Sequence, residues 1–245
     1  MMTLAYKYVA LTLMLAEVNF FAGKVDLKLD HPVAEKEVLT GSHVGPPKTN
    51  DFSGSVITQD YFFGFGRGHL ANFQRNDFRS DSDRAVRERN IKLSKQTSLI
   101  DTNGAYALAV NWLNAVGIDL TAVEKKYRLN IIQWKYYPER FGQGGVMLPV
   151  YQIEWRGSPF ESPRRHADMA VVSLTVLGTT KELVELHVLD DKLFSRPRIR
   201  ILDQDKLLSL SDAKFQVFDS AQRSNFVLRY SGQAESVGTG TGPQK

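Results

Sequence analysis

Side chains able to do chemistry are scattered through this 245-residue chain. Gly64-Phe65-Gly66-Arg67-Gly68 brings three glycines together, the composition that lets backbone amides approach a phosphate. Its context is wrong for that use: a dinucleotide loop runs into a helix and a P-loop carries Gly-Lys-Ser or Gly-Lys-Thr, whereas a strand pattern follows here. The expected role is a hairpin turn. The five histidines, His31, His43, His69, His166 and His187, have no close ligand spacing, so only long-range convergence could make a metal site of them. Glu182 with Glu185, and Asp190 with Asp191, can be drawn as carboxylate pairs, but general acid–base work needs a burial-shifted pKa that the pattern does not imply. There is no Gly-x-Ser-x-Gly elbow. Cysteine is absent, which excludes disulfides, thiolate-bound zinc and a cysteine nucleophile. No catalytic residue, metal ligand or cofactor follows from the sequence.

Two basic groups remain. Arg164-Arg165-His166 sits between two strand patterns, and Arg196-Pro197-Arg198-Ile199-Arg200 follows the last of them. The first is the candidate partner-binding site, set against an ordinary solvated insertion. From Arg75 to Gln96 both signs mix, with Arg75, Arg79, Arg84, Arg87, Arg89 and Lys92 against Asp77, Asp81, Asp83 and Glu88. That pattern suits a solvated linker or short surface helix and not a phosphate groove. The net charge of +4 is too small by itself to indicate nucleic acid, and none is expected as a partner.

The elements that position these groups are clearest between Asp101 and Asp191. Asp101-Thr102-Asn103 offers side-chain oxygens to a first helical turn, and Ala105, Leu108, Ala109, Trp112, Leu113 and Val116 recur at three and four. Gly117 ends that helix, and a further turn spans Leu120 to Tyr127. The period then changes to two. Leu129 to Tyr136 alternates weakly. Pro149, Tyr151, Ile153 and Trp155 share one strand face opposite Gln152, Glu154 and Arg156. Ala170, Val172, Leu174 and Val176 face away from Ser173 and Thr175, and Val184, Leu186 and Val188 alternate with Glu185 and His187. Leu177 to Lys181 closes a hairpin. One apolar and one polar face on successive strands predicts an antiparallel sheet wet on one side, with the helix on the other. Trp112, Trp134 and Trp155 are expected to share the core between them.

This order resembles the PepSY-type unit of secreted bacterial proteins, a relative in shape of the cystatin-like fold. The likeness is carried by Ala105-Tyr106-Ala107-Leu108-Ala109-Val110-Asn111-Trp112-Leu113, by Leu148-Pro149-Val150-Tyr151-Gln152-Ile153-Glu154-Trp155, and by the alternating strand, Gly-containing turn and last strand after them. It implies an extracytoplasmic module, periplasmic or secreted, that binds a peptidase or envelope component and has no catalytic residues of its own. The departure is Arg156 to Asp168, which inserts Pro159, Pro163 and the basic triplet.

Upstream, Tyr8 to Ala16 is an apolar run too short to span a bilayer, which takes roughly 20 residues. A buried helix is expected there, a poorly formed signal peptide being the other reading. Two adjacent methionines before an uncapped helix also fit an export signal lying further upstream. Lys24 to Phe52 reads as a loop, Ser55 to Phe65 as one strand, and His69 to Gln74 as its return. The expected class is therefore α+β: a helix packed on a curved antiparallel sheet, as one unit or two in tandem. The corresponding divisions are 1–95 (helix and hairpin, packing alone or as extra strands of the next domain), 96–210 (helix and four strands) and 211–245 (extension and disordered tail). The functional expectation is a non-enzymatic binding or regulatory module using a sheet edge or the Arg164-Arg165-His166 loop. The alternative is a small-ligand carrier or enzyme with a pocket between helix and sheet, with Asn130 and Gln59 as polar residues on the apolar face.

Overall fold

In the computed structural model the described residues are 3–45, 53–79, 82–138, 144–157, 170–201, 215–219 and 226–230. Their elements are α1 (Leu4–Lys24), β1 (His43–Val44), β2 (Gly54–Ile57), β3 (Tyr61–Gly66), β4 (His69–Arg75), α2 (Asp83–Leu93), α3 (Thr102–Val116), α4 (Leu120–Lys126), β5 (Arg128–Tyr136), β6 (Val146–Arg156), β7 (Ala170–Leu177), β8 (Glu182–Val188), β9 (Phe215–Asp219) and β10 (Phe226–Tyr230). The chain is α+β. Eight strands form an open sheet in the order β1-β2-β3-β4-β8-β7-β6-β5, antiparallel wherever the pairing is described, and β9 pairs with β10. By contact the chain divides into two compact units: Met1–Phe21, Leu29–Leu70 and Pro197–Lys245 make one, Ala22–Lys28 with Ala71–Arg196 the other.

In the second unit α3 begins and ends as its sequence dictates. The Asp101 carboxylate accepts from Gly104 N–H at 2.8 Å, and Gly117 closes the helix in the left-handed region at φ 83°. Ala105, Ala109, Trp112, Leu113 and Val116 form its buried stripe, and the helix packs on β5, β6 and β7. The register of β6, β7 and β8 sets Trp155 beside Val172 and Val188, and Ile153 beside Leu174 and Leu186. Directly opposed residues share a face, so these six side chains, all buried, form the apolar face of the sheet.

The opposite face is not uniformly wet. Leu148, Val150, Leu177 and Val184 cluster there with Leu93 of α2, and Phe78, Trp134 and Tyr136 pack against them. Two expectations are corrected by this. Trp134 does not share a core with Trp112 and Trp155: its indole N–H donates to Gln152 Oε1 at 3.1 Å, on the face that Trp155 turns away from. Val184 does not continue the Leu186–Val188 face, because a register shift between Thr175 and Val176 pairs Val176 with Leu183. The bulge gives the buried place to Leu183 and sends Val184 across the sheet. The mixed-charge segment after β4 contains a helix, α2, capped by Ser82 and anchored at its far end by the buried Leu93.

In the first unit α1 carries the apolar run, with Tyr6, Ala10, Met14, Val18 and Phe21 buried at helical spacing and the Phe21 ring edge-on to Phe63 at 6.3 Å. No helix among the described residues is long and apolar enough to cross a membrane. Ser55 to Phe65 is two strands and not one: Thr58 N–H bonds Tyr61 C=O at 2.9 Å, so Gln59 and Asp60 form the turn. Gln59 is therefore an exposed turn residue and points into no core. Gly66-Arg67-Gly68 is the expected turn, with Arg67 and Gly68 both at positive φ, 49° and 77°, as the twist of a tight hairpin requires. A side chain at Gly68 would also meet Ile199 C=O at 2.6 Å. The tail Gly232 to Lys245 and the run Leu202 to Leu210 lie outside the described residues.

Gly178, in the β7–β8 turn, is required by packing and not by backbone angle. A Cβ there would collide with Ser98 Oγ and lie 2.8 Å from the Tyr151 ring. Tyr151 OH meanwhile donates to Ile100 C=O at 2.9 Å, and Leu99 N–H to Gly178 C=O at 2.8 Å, pinning the lead-in to α3 against the turn. Gly178→Ala is expected to cost about 1–3 kcal/mol, the usual range for overpacking, read as a lower urea midpoint with unchanged slope. A midpoint equal to that of the parent would show that the Ser98 segment is not held there.

Candidate functional site

Three places in the second unit combine charge, hydrogen-bonding capacity and exposure. The first is the polar part of the sheet face opposite α3. Register places Asn130, Glu154, Ser173, His187 and Asn72 in one row across β5, β6, β7, β8 and β4, and Ile132, Gln152, Thr175, Glu185 and Gln74 in the next. Glu154 is only 3% exposed, and both its oxygens accept, one from Gln152 Nε2 and one from Arg156 Nε, each at 2.7 Å. Thr175, fully buried, donates to Glu185 Oε2 at 3.2 Å. Glu185 and His187 do share this face, as expected. Ser173 stands directly opposite His187, yet no hydrogen bond joins them, and the nearest carboxylate in the row lies on the serine side. A nucleophile needs its base in contact and the base held by a third group, so the row lacks that arrangement. It acts as a satisfied polar network running Trp134 to Gln152 to Glu154 to Arg156.

The second is an ion cluster at the start of β8. Glu182 accepts from Arg75 Nη1 at 2.9 Å and Thr180 Oγ1 at 2.7 Å and pairs with Lys28. Arg75 also grips Asp77 with two nitrogens, at 2.8 and 3.1 Å, and its guanidinium lies 5.5 Å from the Phe78 ring centre. Arg89 covers the same ring at 4.6 Å and donates to Asp77 C=O. Burial pushes the Glu182 carboxyl upward, but hydrogen bonds from Lys28 and Thr180, with the charges of Lys28 and Arg75, outweigh it and hold the pKa below the usual carboxylate value. Burial lowers the Arg89 pKa, with Asp77 opposing. Every charge here has a partner, so the cluster fastens α2 and β4 to β8.

The third is the free side of β5. The strand stands last in the sheet, and among the described residues it pairs only with β6. It is nine residues long, against two for β1 at the other end of the strand order. Leu129 is 43% exposed and Ile132 39%, one on each face; Met147, 49% exposed on β6, and Tyr137 just past the strand extend the apolar surface. Between Lys125 and Tyr137 the chain carries Lys125, Lys126, Arg128 and Lys135 and no acidic residue. All four are exposed. Arg128 lies directly opposite Arg156 across the ladder, a like-charge pair.

Other sequence candidates fall elsewhere. Arg164, Arg165 and His166 lie outside the described residues. Asn130 is exposed on β5, not directed into the apolar core. His31 stands 3.6 Å from Glu37, His43 bonds Ser55 at 2.9 Å, and His69 is buried. Among the described residues no three His, Asp or Glu side chains converge as metal ligands. Asp190 caps the short turn Asp191–Leu193 through Lys192 N–H. Sequence reasoning missed the β5 surface because its weak alternation hid which residues remain outside; the unbroken basic run from Lys125 to Lys135 was the available signal. No protein-family model, curated protein or solved structure matches the chain.

The depressed Glu182 pKa has a definite sign in stability. A carboxyl whose folded pKa lies below its unfolded value, about 4.3, stabilises the fold above that value and loses the contribution as pH falls through the folded pKa. Urea midpoints of the parent should therefore drop more steeply than those of Glu182→Gln as pH is lowered below about 4.3. Parallel curves would mean that the Lys28 and Arg75 contacts do not persist in solution.

Proposed function

We propose that the chain is a non-enzymatic protein-binding module that takes an extended segment of a partner as an added strand on the outer edge of β5. The observation that carries this reading is the combination of a nine-residue terminal strand whose outer side has no partner among the described residues with exposed Leu129 and Ile132 on its two faces. Unpaired N–H and C=O groups in a row are a template for another strand, and protruding side chains select among candidates. Soluble domains usually blunt such an edge by shortness or by charge alone. β5 is long and keeps apolar residues between its charges.

The likeness of 96–210 to PepSY units supports a peptidase or envelope component as partner and an extracytoplasmic location. The ligand-carrier alternative has less support, since Asn130 and Gln59, the polar residues it relied on, are both exposed. Tagged protein should capture a stoichiometric partner from the envelope or cytosolic fraction of its native host. The double variant Leu129→Lys, Ile132→Lys should lose that partner while keeping the parental melting temperature, because both side chains are exposed. Undiminished capture by that variant, with loss on replacing Arg164, Arg165 and His166 by alanine, would move the interface to the loop.

A further inference from the structure

We infer that the segment received by β5 is acidic, an extended strand whose carboxylates meet the basic groups at both ends of the edge and whose apolar side chains cover Leu129 and Ile132. The inference rests on the edge-binding reading above and adds the partner's chemistry to it.

Two separate observations carry it. One is the one-sided charge of the edge: Lys125, Lys126, Arg128 and Lys135 are exposed, with no acid between Lys125 and Tyr137. The nearest carboxylate upstream, Glu124, is already engaged by Tyr106 OH at 2.8 Å. The other is the cross-strand pair Arg128–Arg156. Like charges directly opposed in a ladder are unfavourable, and the buried Glu154 beside them gives one oxygen to Arg156 and the other to Gln152, neither to Arg128. An incoming carboxylate beside Arg128 would relieve that opposition.

Register adds a spacing rule. Arg128 shares a face with Glu154 and Ile132, whereas Lys135, opposite Met147 beyond an irregularity in the ladder, shares a face with Met147. The partner's carboxylates should therefore lie near its two ends and on opposite faces, with apolar side chains between them. The same charge count speaks against a second copy of this chain. Antiparallel pairing of two β5 strands about Ile132 would bring Arg128 of one copy and Lys135 of the other to the same end of the ladder, on opposite faces, gathering basic charge at both ends with no acidic residue between Lys125 and Tyr137 to offset it.

The test uses full-length protein and three fluorescent peptides matching β5 in length, in which a central run of valine and threonine is flanked near each end, on opposite faces, by glutamate, serine or lysine. Anisotropy should rank glutamate above serine above lysine, with roughly tenfold or more between the extremes at low salt, narrowing as salt screens the exposed charges. Arg128→Glu with Lys135→Glu should reverse the order. Equal binding of all three peptides would overturn the acidic preference and leave the edge reading standing; no binding of any would overturn both. Sedimentation showing a dimer that Ile132→Lys dissociates would make a second copy the occupant and contradict the inference. The peptide ranking on the parent chain decides the matter even if the charge-reversed variant fails to fold.

Discussion

The second unit depends on β6 being covered by apolar residues on both faces from Leu148 to Tyr151 and on one face beyond it. Leu148, Val150 and Tyr151 are all buried, so the strand passes between the Leu93–Leu177–Val184 cluster on one side and the α3 side on the other. Beyond Tyr151 the two faces diverge. Ile153 and Trp155 remain under the helix, while Gln152 and Glu154 turn to a polar network. Pairing then transmits this division outward: β7 and β8 repeat it by register, and β5 inherits it with no further strand to its outside among the described residues.

That arrangement explains where exposure concentrates. At one end of the strand order stands a two-residue strand, which offers little to pair with, and at the other the nine-residue β5. Carboxylates near the second flank have partners already: Glu154 with Gln152 and Arg156, Glu124 with Tyr106, and Asp190 with Tyr127 OH. The exposed basic residues Lys125, Lys126, Arg128 and Lys135 lie at the same flank as Leu129, Ile132 and Met147. The charge and the apolar surface coincide because both sit on the strand that nothing described packs outside.

Much of the fold was legible in the sequence. Asp101 and Gly117 bound α3, the alternation of 149–155 and 172–176 gave their faces correctly, though a register shift takes Ala170 to the face of Arg156 and not that of Val172, and Gly66-Arg67-Gly68 gave a hairpin turn. What escaped notice has physical causes. The apolar run Leu148 to Tyr151 is buried on both faces, but the clean alternation after it pointed to a sheet wet on one side. The bulge that exchanges Leu183 for Val184 leaves no trace in a local pattern, since both residues are apolar. The Gln59-Asp60 turn lacks glycine and proline, so two strands read as one. For the site, chemistry-bearing residue types drew attention to histidines and the Arg164-Arg165-His166 loop, whereas the β5 surface is defined by what is missing from it among the described residues: acids between Lys125 and Tyr137, and a strand beyond β5.

The central claim is that the outer side of β5 is open in the free protein. Amide hydrogen exchange of the isolated full-length chain, resolved by residue, tests it most directly. Amides between Arg128 and Tyr136 that point away from β6 should exchange orders of magnitude faster than those of β7, whose ladders are closed on both sides, with fast and slow amides alternating along β5. Uniform slow exchange along β5 in the monomer would show that its outer side is already covered and would contradict the account.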